Sequence, residues 1–424
     1  MTTVKEHAEA NAIVSDNPKN IPVWLNEQFF EDIFVEGHRL ERNTFRVKIN
    51  TIVPTGGAGE NYTSMLYRAN VDAESDDGDT KTLATMVKVM DAAPEIKQFG
   101  VFAKEKIAYQ KLLPTIEQLW MNVGETVRFG PRCWKTIEGE IDLIVMDDLN
   151  ALGYSVADRK KGVDLQHAQI FLTKLAKFHA VTATDYRKNG PIHSLYDNGW
   201  IQQEGRAFFE QFLKCVQPLV LDLLDSWPGY EKYKLKLEKN FKGAFDKLME
   251  ATMKDDSGFV ALCHGDTWTN NHMYSYHESD KAKDVLLIDY QGPYYGSPVL
   301  DILYYIITST ELKLKTEQFD ELVQFYQEQL ADNLRKLNYP GAIPNLREIH
   351  IEILRHGYFA MQCLYSILPV VLADKNDNAN LAGFVGDAEE NRQFRRDVFN
   401  NPLYHEHLKV VIKMLDVRGF LDHD

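Results

Sequence analysis

Residues 262–271 read Leu262-Cys263-His264-Gly265-Asp266-Thr267-Trp268-Thr269-Asn270-Asn271, and residues 285–291 read Val285-Leu286-Leu287-Ile288-Asp289-Tyr290-Gln291. An acid and an amide five positions apart are followed by a second acid that emerges from an apolar run. Phosphoryl transfer from a nucleotide needs such a set. One carboxylate holds the acceptor hydroxyl, while an amide and another carboxylate hold magnesium through hard oxygen donors. The spacing gives the first role to Asp266 and the metal to Asn271 and Asp289. Taken singly, an Asp between Gly and Thr is a turn residue, paired Asn residues mark a loop, and an Asp ending a strand is a cap. The compound pattern is what favours the phosphotransferase reading.

Working upstream, a nucleotide kinase also needs a glycine-rich hairpin over the phosphates, a strand lysine for their charge and a helical glutamate to hold that lysine. All three occur in that order. Gly56, Gly57 and Gly59 form the turn between two strand-like runs, Lys88 ends the run Met86-Val87-Lys88, and Glu105 lies in a helical stretch. Glycine favours hairpins for its positive φ alone, and Glu105 has rivals in Glu95 and in its neighbours Lys104 and Lys106. Farther on, Leu143-Ile144-Val145-Met146 runs into Asp147-Asp148-Leu149. A buried strand ending there would offer backbone groups to an adenine edge, with Met146, Asp147 and Leu149 as the nucleotide-binding residues. Ser297-Pro298 predicts an N-cap with proline at the first helical position, which puts Asp301 in the first turn, placed to accept hydrogen bonds from the loop around His264.

Around these motifs the texture changes along the chain. Trp24, Leu25, Phe29, Phe30, Ile33 and Phe34 recur at helical spacing, and strands are expected near Phe45 to Ile49, Tyr62 to Val71 and Leu83 to Met90, with acidic residues 72–79 as a solvated connection. A helix from Phe99 to Leu113 closed by Pro114 precedes two more strands, Thr126 to Ile137 and Ile141 to Met146. Beyond Leu149 long amphipathic stretches dominate, at Leu165 to Val181, Ala207 to Leu224, Tyr230 to Met253, Glu317 to Leu337, Leu346 to Leu368 and His405 to Leu415. A β-rich front and a helical back imply an α+β chain of two lobes. The expected division is 1–148, a leader helix and nucleotide-binding lobe, and 149–424, a helical lobe with the catalytic loop and acceptor pocket.

The 424 residues carry 47 Lys plus Arg against 62 Asp plus Glu, a net charge of −15. Such a chain has no global field for phosphate backbones or anionic lipid, so neither a nucleic acid nor a membrane is expected as a partner. The polar residues 1–15 lack the apolar run of a signal peptide, and Cys133, Cys215, Cys263 and Cys363 form no CxxC pair. A cytoplasmic protein with buried thiols is expected, without a disulfide framework or thiolate zinc site. Asn61-Tyr62-Thr63 matches the glycosylation pattern by chance.

Several segments together resemble the ecdysteroid kinase-like family, also called CHK kinase-like, which is related to choline and aminoglycoside kinases. They are Glu60 to Ser64, Val145 to Leu149, Leu175 to Ala180, Cys263 to Asn271, Ile288 to Gln291 and Tyr295 to Asp301. The resemblance covers most of the chain from about Trp24 onward. It implies a protein kinase-like bilobal fold, ATP and magnesium as cofactors, Asp266, Asn271 and Asp289 as the catalytic and metal set, and Lys88 with Glu105 as the nucleotide-anchoring pair. Tyr290 stands where phenylalanine is expected, and Asp147 where glutamate is usual. The acceptor implied is an ecdysteroid or related steroid hydroxyl, with a choline-like or xenobiotic alcohol as the alternative; separately, a monomer is expected. Trp268 stands two positions past Asp266, where protein kinases acting on Ser or Thr commonly place lysine, and Gly296-Ser297-Pro298 leaves little room for an activation loop. Hydrolase readings lack a G-x-S-x-G elbow or an H-E-x-x-H pair. An inactive binding protein on the same fold would have lost one of the key residues, and none is missing.

Overall fold

The computed structural model describes residues 21–55, 64–75, 77–90, 99–139, 141–279, 281–374 and 381–422. The expected turn glycines Gly56, Gly57 and Gly59 lie outside the described residues, as do Glu95 and Asn61-Tyr62-Thr63. The chain divides into two compact units, Met1–Lys97 with Pro131–Gly153, and Gln98–Gly130 with Tyr154–Asp424. Residues 98–130, counted with the first lobe from sequence, therefore belong to the second.

Among its described residues the smaller unit packs one helix on one antiparallel sheet. Helix α1 (Glu27–His38) starts at Asn26, whose side chain accepts from the Phe29 amide, and ends at Arg39 in the left-handed region. The strands are β1 (Phe45–Thr55), β2 (Ser64–Ser75), β3 (Thr80–Met90), β4 (Cys133–Ile137) and β5 (Leu143–Asp147), in the order β1-β2-β3-β5-β4. Period-two alternation sorts the side chains. Tyr67, Ala69, Val71, Leu83, Val87, Leu143 and Val145 face Phe30, Ile33 and Phe34 of α1 in one core. Lys88, opposite Ile144, and Met146, opposite Met86, share the other face.

Two expectations change here. The acidic residues 72–79 are only partly a connection, because β2 continues to Ser75, and Asp72 accepts from Thr82 Oγ1 at 2.6 Å and Asn50 Nδ2 at 2.7 Å. Cross-strand hydrogen bonds keep those acids in the sheet. The strand expected over Thr126 to Ile137 shortens to Cys133–Ile137.

The larger unit begins with α2 (Val101–Ile107), a π-helical turn (Ala108–Leu112) and α3 (Leu113–Met121). Pro114 does not close this helix. It lies within a run that stays helical from Val101 to Met121, and the π turn just before it relieves the steric conflict. Next come β6 (Tyr154–Val156), α4 (Leu165–Asn189), α5 (Arg206–Ser226), α6 (Glu231–Phe241), α7 (Ala244–Thr252), β7 (Ala261–Cys263), β8 (His272–Tyr276), β9 (Ala282–Leu287) and β10 (Tyr294–Gly296). After them follow α8 (Val299–Ser309), α9 (Leu312–Glu317), α10 (Phe319–Lys336), α11 (Leu346–Arg355), α12 (Gly357–Gln362), α13 (Leu368–Leu372), α14 (Leu381–Val385), α15 (Glu389–Phe399) and α16 (Pro402–Val417). The stretch expected as one helix from Tyr230 to Met253 is two, split at Gly243 with φ +66°. The stretch from Leu346 to Leu368 breaks at His356, whose ring contacts the Ala251 carbonyl at 2.6 Å and Glu352 at 3.3 Å. Among the described residues no helix is long and apolar enough to cross a membrane.

Candidate active site

In the larger unit β6, β8 and β9 form one small sheet and β7 with β10 another, and the loops between them carry the acids. β7 delivers His264 to Trp268, a 3-10 turn (Thr269–Asn271) leads into β8, and His272 pairs with Leu287 of β9. Two hydrogen bonds continue that pairing beyond the ladder. The Ile288 amide donates to the Asn271 carbonyl at 3.0 Å, and His264 Nε2 lies 3.1 Å from the Ile288 carbonyl. Asn271 and the residue before Asp289 are therefore fixed side by side.

The loop itself has one permitted backbone. Gly265 has φ +78°, and a Cβ there would lie 2.2 Å from the Gly292 carbonyl oxygen, so no other residue fits. Asp301 anchors it. Oδ2 accepts from the His264 amide at 2.6 Å and from His179 Nε2 at 3.1 Å, and Oδ1 accepts from the Gly265 amide at 2.9 Å. Thr267 Oγ1 donates to the Asp301 carbonyl at 2.9 Å. Asp301 is in the first turn of α8 as expected, but Ser297 is not a side-chain cap. Its hydroxyl donates to Glu352 Oε2 at 3.1 Å, and Pro298 occupies the cap position.

Asn271 holds Asp266. Its Nδ2 donates to the Asp266 carbonyl at 2.9 Å and to Oδ2 at 2.8 Å, while the Tyr304 hydroxyl donates to Oδ1 at 2.7 Å. Both partners of Nδ2 are acceptors, which settles the amide orientation and leaves Asn271 Oδ1 turned away from Asp266. Burial pushes the Asp266 carboxyl up to about 7, the nearby Asp289 charge adds to the rise, and the hydrogen bonds from Tyr304 and Asn271 oppose it. Asp289 has φ +64°, a left-handed conformation rare outside glycine, which commonly marks a functional position. Burial lowers the His264 pKa, against the pull of Asp301 and Asp289, so its ring is neutral at pH 7.

Of the residues expected from sequence, the structure brings together Asp266, Asn271 and Asp289. Glu105 on α2 is fully buried and accepts from Gln291 Nε2 at 3.2 Å, which ties its helix to the turn after Asp289. Lys88, Met146, Asp147 and Leu149 belong to the smaller unit, where Lys88 and Met146 share one sheet face. The expected free backbone groups after β5 are partly committed. The Asp147 amide donates to Arg132 O at 2.9 Å and the Asp148 amide to Ala84 O at 3.0 Å, because β5 lies between β3 and β4. The Asp147 carboxylate accepts from the Trp134 indole at 2.8 Å, and Asp148 pairs with Arg68 at 2.8 Å. Sequence reasoning missed Tyr304, and it read Gln291 as part of the motif after Asp289 without foreseeing its bond to Glu105. The three-residue step from Asp301 to Tyr304 on one helix face was the available signal for the first.

A family model described as the ecdysteroid kinase-like family matches residues 58–339, about two thirds of the chain, a range that spans the loop from His264 to Asn271. The chain belongs to the ecdysteroid kinase-like family. A comparison with curated proteins finds no match. Membership makes this a small-molecule kinase-like protein of phosphotransferase type, and the antiparallel sheet followed by a larger helical region is the α+β, protein kinase-like architecture of that fold. In this ecdysteroid kinase-like chain the family match includes Lys88, Glu105, Met146, Asp147, Leu149, Asp266, Asn271 and Asp289.

Proposed function

We propose that the protein is an ATP- and magnesium-dependent kinase that phosphorylates a hydroxyl group of a small molecule, an ecdysteroid or related steroid, acting as a cytoplasmic monomer. What carries this is the grouping of Asp266, Asn271 and Asp289. Asn271 spends its donors on Asp266 and keeps Oδ1 for a cation. The Asp289 charge, which makes the Asp266 carboxyl less acidic, leaves a negative site for a hard divalent ion to neutralise. Magnesium suits such a donor set, since it keeps much of its water and takes one or two carboxylates plus substrate phosphates.

Asn271 and Asp289 would hold the ion, which when bound neutralises charge on the transferring phosphoryl group. Asp266 orients the acceptor hydroxyl and takes its proton late, since the transition state is loose. Lys88, Gly56, Gly57 and Gly59 are assigned to the phosphates, Glu105 to Lys88, and Met146, Asp147 and Leu149 to the base. With a net charge of −15, the protein depends on local positive charge at that site.

The test is incubation with labelled ATP, magnesium and a panel of steroids, amino alcohols and plant glycosides. A phosphorylated steroid is the expected product, and Asp266→Asn should cut its formation to a trace residual rate while nucleotide still binds. A xenobiotic or choline-like product would move the acceptor class. Nucleotide binding with no product from the panel or from cell extract would instead favour an inactive binding protein.

A further inference from the structure

Helix α8 holds the catalytic loop at two points one turn apart. Asp301 binds the His264 and Gly265 amides, and Tyr304 donates its hydroxyl to Asp266 Oδ1 at 2.7 Å. A three-residue step places both side chains on one face of the helix. Asp301 thus fixes the loop backbone. It leaves the Asp266 side chain free to turn about its own bonds, and a carboxylate needs a second contact to stop that turning. Asn271 supplies one on Oδ2 and Tyr304 supplies the other on Oδ1.

From this geometry we infer that Tyr304 is a positioning residue for phosphoryl transfer, holding the Asp266 carboxylate in the one orientation that can receive the acceptor hydroxyl. The inference rests on the kinase reading of Asp266 given above. Each carboxylate oxygen has two lone pairs, so the Tyr304 hydroxyl and an acceptor hydroxyl can share Oδ1 without displacing one another. The phenol stays a donor because burial, helped by the Asp266 charge, raises its pKa well above the ordinary value. Its ring is fixed as well, since Tyr304 is only 8% exposed and lies 6.3 Å from the Phe359 ring. The hydroxyl therefore approaches Asp266 from a rigid helix, which suits a group whose work is alignment.

Tyr304→Phe tests this, since it removes one oxygen and keeps the ring packing. The expected result is a kcat lower by about 10- to 100-fold, with the KM for magnesium-ATP within about twofold and the unfolding midpoint unchanged. A structural role would lower the midpoint and leave the kcat of the folded fraction intact. Combining the substitution with Asp266→Asn supplies the second readout. If Tyr304 acts only through Asp266, the pair has the residual rate of Asp266→Asn alone. A Tyr304→Phe enzyme with wild-type kcat, or a double variant that multiplies the two losses, overturns the inference and leaves the kinase reading standing. Wild-type protein that binds magnesium-ATP yet transfers phosphate to no alcohol and to no water overturns both.

Discussion

Asp301→Asn is the most informative single change away from the reacting groups. Asp301 is 1% exposed and its carboxylate accepts three hydrogen bonds, two on Oδ2 from the His264 amide and His179, and one on Oδ1 from the Gly265 amide. An asparagine keeps the shape but has one acceptor oxygen. Placed where Oδ2 stands, that oxygen retains two of the bonds, and the new NH₂ then faces the Gly265 N–H, donor against donor. The loss is one charge-assisted bond, about 1.5–3 kcal/mol, plus the cost of a buried amide without a partner, about 1–3 kcal/mol. Together this gives about 2.5–6 kcal/mol of destabilisation, against a typical total of about 5–15 kcal/mol. The variant should fold, yet its catalytic loop loses the contact that holds Gly265 at φ +78°. Urea unfolding followed by far-ultraviolet circular dichroism measures the stability, and phosphoryl transfer by the folded protein should fall by roughly 100-fold. A stability loss below about 1 kcal/mol together with unchanged turnover would refute the role given to Asp301.

Other outcomes follow from the same contacts. Lys315 is fully buried, its Nζ donates to the Ile307 carbonyl at 2.6 Å, and burial lowers its pKa from 10.5 to about 7. The unfolded chain therefore binds the extra proton between about pH 7 and 10.5, so this group takes stability away as the pH falls through that window and takes its full share below it. Lys315→Met should stabilise the protein by up to ~5 kcal/mol near pH 7, with the gain fading toward pH 10.5, and a gain independent of pH in unfolding titrations would contradict the burial argument. His407, lowered to about 3 chiefly by burial and then by Lys315, titrates well below that range. Gly265→Ala meets both the left-handed φ and the Gly292 carbonyl, so transfer should be lost with a stability cost above about 2 kcal/mol, and an active variant of normal thermal stability would exclude this loop geometry. Asp289→Asn, which tolerates the same backbone, should weaken the magnesium-dependent part of nucleotide binding by calorimetry, and chelation should silence wild-type transfer. An unaltered magnesium dependence in that variant would remove Asp289 from the metal set.

Much of the site was legible because its signals are local. The five-residue step from Asp266 to Asn271 and the apolar run into Asp289 lie within two short segments, and β8 and β9 are joined by a brief connection. Asp301 could be read from the start of its helix. Pro114 misled, since a proline that ends a helix and a proline that a helix accommodates look alike in sequence, and only the π turn before it separates the two cases. The helix expected over Tyr230 to Met253 failed at Gly243, whose positive φ a periodic pattern does not reveal. The groups expected to be free after β5 are partly taken, because strand order, and with it the partner on each side of a strand, is a long-range property.

By itself the sequence determined the α+β class, the family and the acid-amide-acid set, all of which depend on residue type at short spacing. Tertiary structure alone decided which groups hold that set in place. His179, Gln291 and Tyr304 come from separate stretches of chain, and each acts by a hydrogen bond of about 3 Å, a distance that only the packed fold can fix. It also gave Asn271 its orientation and raised the Asp266 pKa, because burial and the field of a neighbouring charge exist only once the loops are folded together.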